Sequence, residues 1–246
     1  MRVAAISDIH GNLPALEAVL ADIARRGCDQ ILQLGDALSG PLWPQETADR
    51  LRGLQALHVR GNHDVALVYP ERCAPTRTDD WTLERLDADT LDWLRGLPRT
   101  VALGSDLLGF HGKPDQEDYY LIDEAPDGDP RLRPIEAIEA DLSEARARVL
   151  VCGHSHTQRV LELSDDRLLV NDGSVGLPAY SEPLRGGTVY AQAGSPHARY
   201  ALIDLAPSTV SVALVAVPYD WQRSQDRAAQ AGFERWAHWL SGWSRR

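Results

Sequence analysis

The sequence predicts an α/β fold in which two β-sheets pack together with helices on the outside. Two observations carry this. The N-terminal part alternates short apolar runs with helical periodicity, a β-α-β-α-β progression that calls for a partly parallel sheet covered by helices. The C-terminal half carries apolar runs in pairs separated by turn residues, the pattern of antiparallel hairpins. At 246 residues, 43% hydrophobic and 25% charged, the chain has an ordinary globular composition and enough length for a large core.

The elements follow in order. Val3–Ile6 is a short apolar run, and Ser7–Asn12 is polar and turn-like. From Leu13, the residues Leu16, Val19, Leu20 and Ile23 recur at helical spacing as far as Gly27. Ile31–Leu34 is a second strand ending at Gly35-Asp36, Gln45–Leu54 is helical, and Leu57–Arg60 is a third strand ending at Gly61-Asn62-His63-Asp64. Leu83–Leu94 is read as one helix on Leu83, Leu86, Leu91 and Leu94. Thr100–Leu103 and Leu107–Phe110 flank Gly104-Ser105-Asp106 and predict a hairpin. Val149–Cys152 is a buried strand ending at Gly153. Val160–Leu163 pairs with Leu168–Val170 across Ser164-Asp165-Asp166, and Tyr200–Leu205 pairs with Val210–Val217. Trp236, Trp239 and Trp243, at i, i+3 and i+7, read as one packed helix face. With no internal repeat and no Gly-, Ser- and Pro-rich linker, residues 1–246 are read as a single domain.

Composition excludes several roles. No apolar run approaches the roughly 18 residues of a membrane span. The N-terminal run meets Asp8 too early for a signal peptide, so the cytoplasm is expected. A net charge of −11, from 36 acidic and 25 basic residues, repels polyanions and argues against broad nucleic-acid binding. A local cationic site, such as a bound metal pair, still attracts one phosphate. Lys113 is the sole lysine and is read as a phosphate contact. Cys28, Cys73 and Cys152 fit reduced, mostly buried thiols.

Five of the eight histidines sit in motifs directly after expected strands: Asp8-Ile9-His10, Gly35-Asp36, Gly61-Asn62-His63-Asp64, His111-Gly112 and Gly153-His154-Ser155-His156. Strand ends place side chains on one rim. Alternate residues of D-x-H and H-x-H face the same side of an extended segment and can grip one ion. Asp, Asn and His together suit manganese, iron or zinc better than magnesium or calcium.

This ordered set resembles the calcineurin-like metallophosphoesterase superfamily, whose pattern is D-x-H, G-D, G-N-H-D/E, H and G-H-x-H. The Ser7–Asn12 opening and Val170–Gly176 resemble its small bacterial and archaeal phosphoesterase branch. The resemblance implies an αββα sandwich of two packed mixed β-sheets flanked by helices. It implies two divalent metal ions, manganese first, with iron, zinc or nickel as alternatives. Asp8, His10, Asp36 and His156 hold one ion. Asp36 bridges to the other, which Asn62, His111 and His154 complete. It further implies hydrolysis of phosphomonoesters or phosphodiesters in small, nucleotide-derived substrates, by a hydroxide shared between the metals. His63 donates a proton to the leaving oxygen while Asp64 orients its ring. The alternative within the family is a non-catalytic, protein-binding scaffold; His63 and all seven ligands are present here, which favours the enzyme. The H-x-H-x-D-H cluster of a β-lactamase-like hydrolase is absent.

Three departures bear on the substrate. Asn171-Asp172-Gly173-Ser174 stands where related sequences carry Asn-Pro-Gly-Ser. The 179–195 stretch is long for the branch and reads either as a specificity flap or homodimer contact, or as a surface hairpin. The acidic Asp115–Asp129 loop carries Tyr119 and Tyr120, read either as a nucleobase platform or as a solvated loop.

Overall fold

The computed structural model describes residues 1–125, 128–184 and 187–244. In chain order the first half contains β1 (Arg2–Ile6), α1 (Leu13–Arg26), β2 (Gln30–Leu34), α2 (Pro44–Arg52), β3 (Ala56–Val59), α3 (Asn62–Val68), α4 (Arg77–Leu83), α5 (Ala88–Gly96), β4 (Thr100–Leu103) and β5 (Leu107–Phe110). The second half contains β6 (Asp123–Glu124), β7 (Arg131–Leu132), α6 (Ile135–Asp141), β8 (Val149–Cys152), β9 (Arg159–Glu162), β10 (Leu168–Asn171), β11 (Ala179–Leu184), β12 (Gly187–Gln192), β13 (Ala198–Leu205), β14 (Val210–Val217), α7 (Trp221–Gln230) and α8 (Glu234–Trp239).

Two five-stranded mixed sheets form the centre, ordered β14-β13-β1-β2-β3 and β4-β5-β8-β10-β9. In the first, β1, β2 and β3 run parallel while β13 returns antiparallel beside β1. In the second, β5, β8 and β10 run parallel and β4 and β9 close the edges antiparallel.

Alternation along each strand explains the layering. Val3 and Ala5 of β1 join Leu32, Leu34, Leu107, Val149, Val151 and Val170 in the core between the sheets. Ala4 and Ile6 face the other way, onto Leu16, Val19, Leu20 and Ile23 of α1. On the far side, Phe110, Leu150 and Leu169 pack against Ile138 and Leu142 of α6. The expected αββα sandwich is therefore the observed fold, and among the described residues no helix is long and apolar enough to cross a membrane.

Three expectations need correction. The single helix over Leu83–Leu94 is two helices, because Asp87 accepts the Thr90 N–H at 2.7 Å and starts α5 afresh. Trp243 lies beyond α8 and is 49% exposed, since Gly242 takes a φ of +91° and turns the chain away. Cys28 and Cys73 are only half-buried; Cys152 alone is fully buried.

The 179–195 stretch forms the antiparallel β11–β12 hairpin, of which residues 185 and 186 lie outside the described residues. It is more than a surface hairpin. Ala179, Tyr180, Val189 and Ala191 pack into a separate apolar cluster with Phe233, Trp236, Trp239 and Leu240 of the C-terminal helical segment.

Candidate metal centre

All seven expected ligands come together at the carboxyl ends of five strands: Asp8 and His10 after β1, Asp36 after β2, Asn62 after β3, His111 after β5, and His154 and His156 after β8. The chain must turn sharply there. Asp8, His10, Asp36, His154 and His156 take φ values of 51°, 52°, 53°, 69° and 57°. Residues other than glycine rarely adopt this left-handed region, and each instance costs on the order of 1–3 kcal/mol. The glycines of the motifs leave room for the ligands. A side chain at Gly61 would run into the Asp36 carboxylate, and one at Gly153 into Ser7 and Asp8.

Hydrogen bonds aim the imidazoles. Nδ1 of His10 lies 2.8 Å from the Ser39 carbonyl, Nδ1 of His111 2.7 Å from that of Leu34, and Nδ1 of His156 2.7 Å from that of Leu177. A carbonyl only accepts, so each Nδ1 carries the proton and each Nε2 faces the cluster. His156 Nε2 is 3.2 Å from Asp8 Oδ1, and His111 Nε2 is 3.4 Å from Asp36 Oδ2. His10 Nε2 stands 3.9 Å from Asp8 Oδ1 and 4.0 Å from Asp36 Oδ2. Asn62 Oδ1 lies 3.0 Å from both His111 Nε2 and His154 Nδ1.

Two triads have ligand atoms within 4.8 Å of one another: Asp8, His10 and His156, and Asp8, Asp36 and His111. All five residues are buried, and Asp8 Oδ1 has no hydrogen-bond partner among the described residues. A buried carboxylate oxygen without a donor, facing three imidazole nitrogens, is what a cation would satisfy. The donor set fits metal ions.

With only protein charges present, the cluster is electrostatically frustrated. Burial opposes a charged His111, yet Asp36 beside it raises its pKa to about 10. Burial pushes His10 down to about 4 and, helped by His111, pushes His154 down to about 3. Burial would raise the Asp8 carboxyl, but neighbouring His156 and then His111 hold it at about 2.

His63 stands at the rim on the first turn of α3, its ring 5.5 Å from that of His10. The structure corrects the partner expected for it. His63 Nδ1 lies 3.1 Å from Asp79 Oδ1 on α4, not against Asp64. Burial lowers the His63 pKa, but Asp36 and Asp79 overcome this and raise it to about 10. Asp64 is buried and accepts the backbone N–H groups of Asp36, Ala37 and Gly61 at 2.9, 3.1 and 2.9 Å. It ties the loop after β2 to the loop after β3. Burial and then the Asp36 charge push its carboxyl up to about 7. The one sequence signal for Asp79 was the helix start at Thr76, whose N–H and Oγ1 both bond Asp79 Oδ2 at 2.7 Å.

Asp172 has an unexpected role. Ser7 Oγ has one proton but lies 2.5 Å from Asp8 Oδ2, 2.7 Å from Asp172 Oδ1 and 3.1 Å from the Gly173 carbonyl. Burial and then the nearby Asp8 charge hold the Asp172 carboxyl well above its ordinary value. A neutral Asp172 donates to Ser7, and Ser7 donates to Asp8. The unfolded chain loses this proton near pH 4 while the folded chain keeps it to higher pH, so the raised pKa costs stability as pH rises. Asp172→Asn can still donate to Ser7 without that cost. It should melt roughly 2–6 °C above wild type at pH 7.5, with the difference vanishing near pH 4. A lower melting temperature at pH 7.5 would mean that Asp172 is ionised.

Lys113 does not reach the site. Its Nζ lies 3.3 Å from Asp115, 3.9 Å from Asp141 and 4.7 Å from the Tyr119 ring centre, outside the cavity lining. Tyr120 does reach it, 4.5 Å ring to ring from His154, and Tyr180 of the hairpin lies 4.7 Å from His156. The Tyr120 and Tyr180 hydroxyls are 2.8 Å apart, and Tyr120 is 2.9 Å from Glu182. Trp236 of α8 lies edge-on to His10 at 5.8 Å. Together these side chains wall a cavity of about 350 Å³ in front of the ligands. The platform and flap readings of the sequence concerned Tyr120 and the hairpin; Trp236 was expected only to pack.

Comparison with known proteins agrees with this geometry. The chain is 27% identical over 249 residues to an uncharacterized protein of Methanocaldococcus jannaschii, spanning 95% of this chain and 94% of that protein. Its fold matches the crystal structure of a metallophosphoesterase from Sphaerobacter thermophilus with a TM-score of 0.74, at 26% identity and over 98% of both chains. Residues 1–194 match the model of the calcineurin-like phosphoesterase superfamily domain. With its ligand motifs on the strand ends of two packed mixed sheets, the chain belongs to the calcineurin-like phosphoesterase superfamily.

Proposed function

We propose that this chain hydrolyses phosphate esters of small molecules with the help of two divalent cations, manganese being the best match to its mixed nitrogen and oxygen donors. The observation that carries the reading is the unpartnered Asp8 Oδ1 facing inward-pointing imidazole nitrogens. Asp8, His10, Asp36 and His156 would hold one ion, and Asp36, Asn62, His111 and His154 the other. When bound, such a pair supplies Lewis acidity that activates water and neutralises charge on the phosphoryl oxygens. The protein supplies the rest. Water oxygen bonds to phosphorus as the ester P–O bond breaks, the leaving oxygen takes a proton from His63, and the proton that water gives up recharges His63 for the next turnover. Asp79 fixes the His63 ring and keeps it charged for that transfer.

Metal titration and elemental analysis test this directly. Under manganese saturation the protein should hold two ions per chain, chelation should abolish phosphate release, and manganese should restore it. A stoichiometry that stays at one or zero defeats the two-ion reading. Two ions without hydrolysis of a generic monoester, a generic diester, a cyclic nucleotide or a dinucleoside polyphosphate would make the chain a binding scaffold.

A further inference from the structure

The cavity over the ligands does not end there. A second cavity of about 510 Å³ adjoins it, and both are lined by Ser181 and Pro183 of the hairpin and by Arg235 and Trp239 of α8. The two form one groove that starts at the metal ligands and runs out between β11–β12 and α8. Its combined size is that of a small-ligand site, about 300–1,000 Å³.

Arg235 stands at the junction, and its position is unusual for this chain. Four described cations near the strand-end rim are committed: Arg60 to Glu117, Lys113 to Asp115, Arg133 to Asp141 and Arg159 to Asp123. Arg235 is exposed and makes no ion pair among the described residues; its guanidinium leans on the Trp239 ring at 6.0 Å. Among the described residues it is the sole Lys or Arg lining the inner cavity. Glu182 lines the same cavity, with one oxygen taken by Tyr120, so an anion entering the groove is directed to Arg235. Beyond it, the outer cavity presents Trp239, Tyr190 and His238, whose buried Nε2 has no partner among the described residues. Aromatic rings beside a free guanidinium and an unpaired imidazole nitrogen match a heteroaromatic ring that carries negative charge.

We infer that this groove is a leaving-group subsite, and that the substrate is a nucleotide bearing a second phosphoryl group, with one phosphate at the metal ligands and the other on Arg235. The inference rests on the phosphoesterase reading above and adds the substrate class and the residue that selects it.

The test compares wild type, Arg235→Ala and Arg235→Lys, loaded with manganese, on phenyl phosphate, adenosine 5′-monophosphate and adenosine 3′,5′-bisphosphate. Arg235→Ala should lose roughly 10–100-fold in kcat/KM on the bisphosphate, chiefly through KM, as expected for losing a charged hydrogen bond. Its activity on phenyl phosphate should stay within about threefold of wild type, and Arg235→Lys should recover part of the loss. Equal losses on all three substrates, or none, overturn the subsite. If wild type hydrolyses none of them, the phosphoesterase reading is decided by the wider ester panel above, and the subsite is judged by bisphosphate binding followed by tryptophan fluorescence. Binding that Arg235→Ala weakens still supports the subsite; no binding to wild type overturns it.

Discussion

Asp36→Ala should leave a folded protein that retains at most one ion per chain and has lost on the order of 10⁴-fold or more in kcat/KM. The proposed bridging position of Asp36 is the reason. Asp36 Oδ2 lies 3.4 Å from His111 Nε2 and 4.0 Å from His10 Nε2, between the two sets of donors, while Oδ1 accepts the His63 N–H at 2.9 Å. Removing it takes away the negative charge shared by both proposed ions. It also removes the strongest influence keeping His63 protonated. His156→Ala, which strips a donor from one side, should weaken one ion and spare the other. Metal content after saturation and desalting, with circular dichroism as the check on folding, decides the matter. An Asp36→Ala protein with two ions, or with a tenth of the wild-type rate, would show that Asp8, common to both triads, is the bridging residue instead.

The second large effect separates proton donation from metal binding. General acid catalysis contributes typically about 10²–10⁴-fold, and that is the loss expected for His63→Ala on nucleoside or alkyl esters, whose leaving oxygens need a proton. Nitrophenyl esters leave well as anions, so their loss should be clearly smaller, with both ions retained. Asp79→Asn should give a milder form of the same pattern, because Asp79 is the carboxylate that holds the His63 ring. Asp64→Asn should behave differently and lower metal affinity, since it loosens the loops that carry Asp36 and Asn62. The readout is kcat/KM on two esters with good and poor leaving groups, with metal content in parallel. Equal losses on both esters would make His63 a stabiliser of the phosphoryl group, and loss of an ion would make it a ligand.

The contrast between Asp64 and Asp79 shows what the sequence made legible. Ligand types after strands were readable because a tight turn beside a metal demands glycine, a carboxylate and imidazole within a few residues. The hairpin of β4 and β5 and the strand at β8 were readable with their bounds because their apolar runs stop at local turn residues. His63 is 16 residues from Asp79 in the chain, and only the packing of α4 against α3 brings them together. The groove was hidden in the same way. Trp236, Trp239 and Arg235 are near the end of the chain, and their neighbours Tyr180 and Ser181 come from a hairpin whose function no local motif announced. The break at Asp87 was missed because leucine periodicity runs through both helices and conceals the cap between them.

The left-handed backbone at Asp8, His10, Asp36, His154 and His156 places endurance and chemistry in conflict. Glycine would occupy each of these φ angles without steric penalty, so the substitutions most soothing to the bare polypeptide are those that would abolish the proposed reaction. Heat tolerance in this protein must therefore be accumulated away from these five backbone positions, in its two packed sheets, its outer helices and the side chains behind the ligands. The same tension gives the cations a structural role as well as a chemical one. Like a keystone, each would hold shut a ring of bent segments that have reason to relax when it is withdrawn.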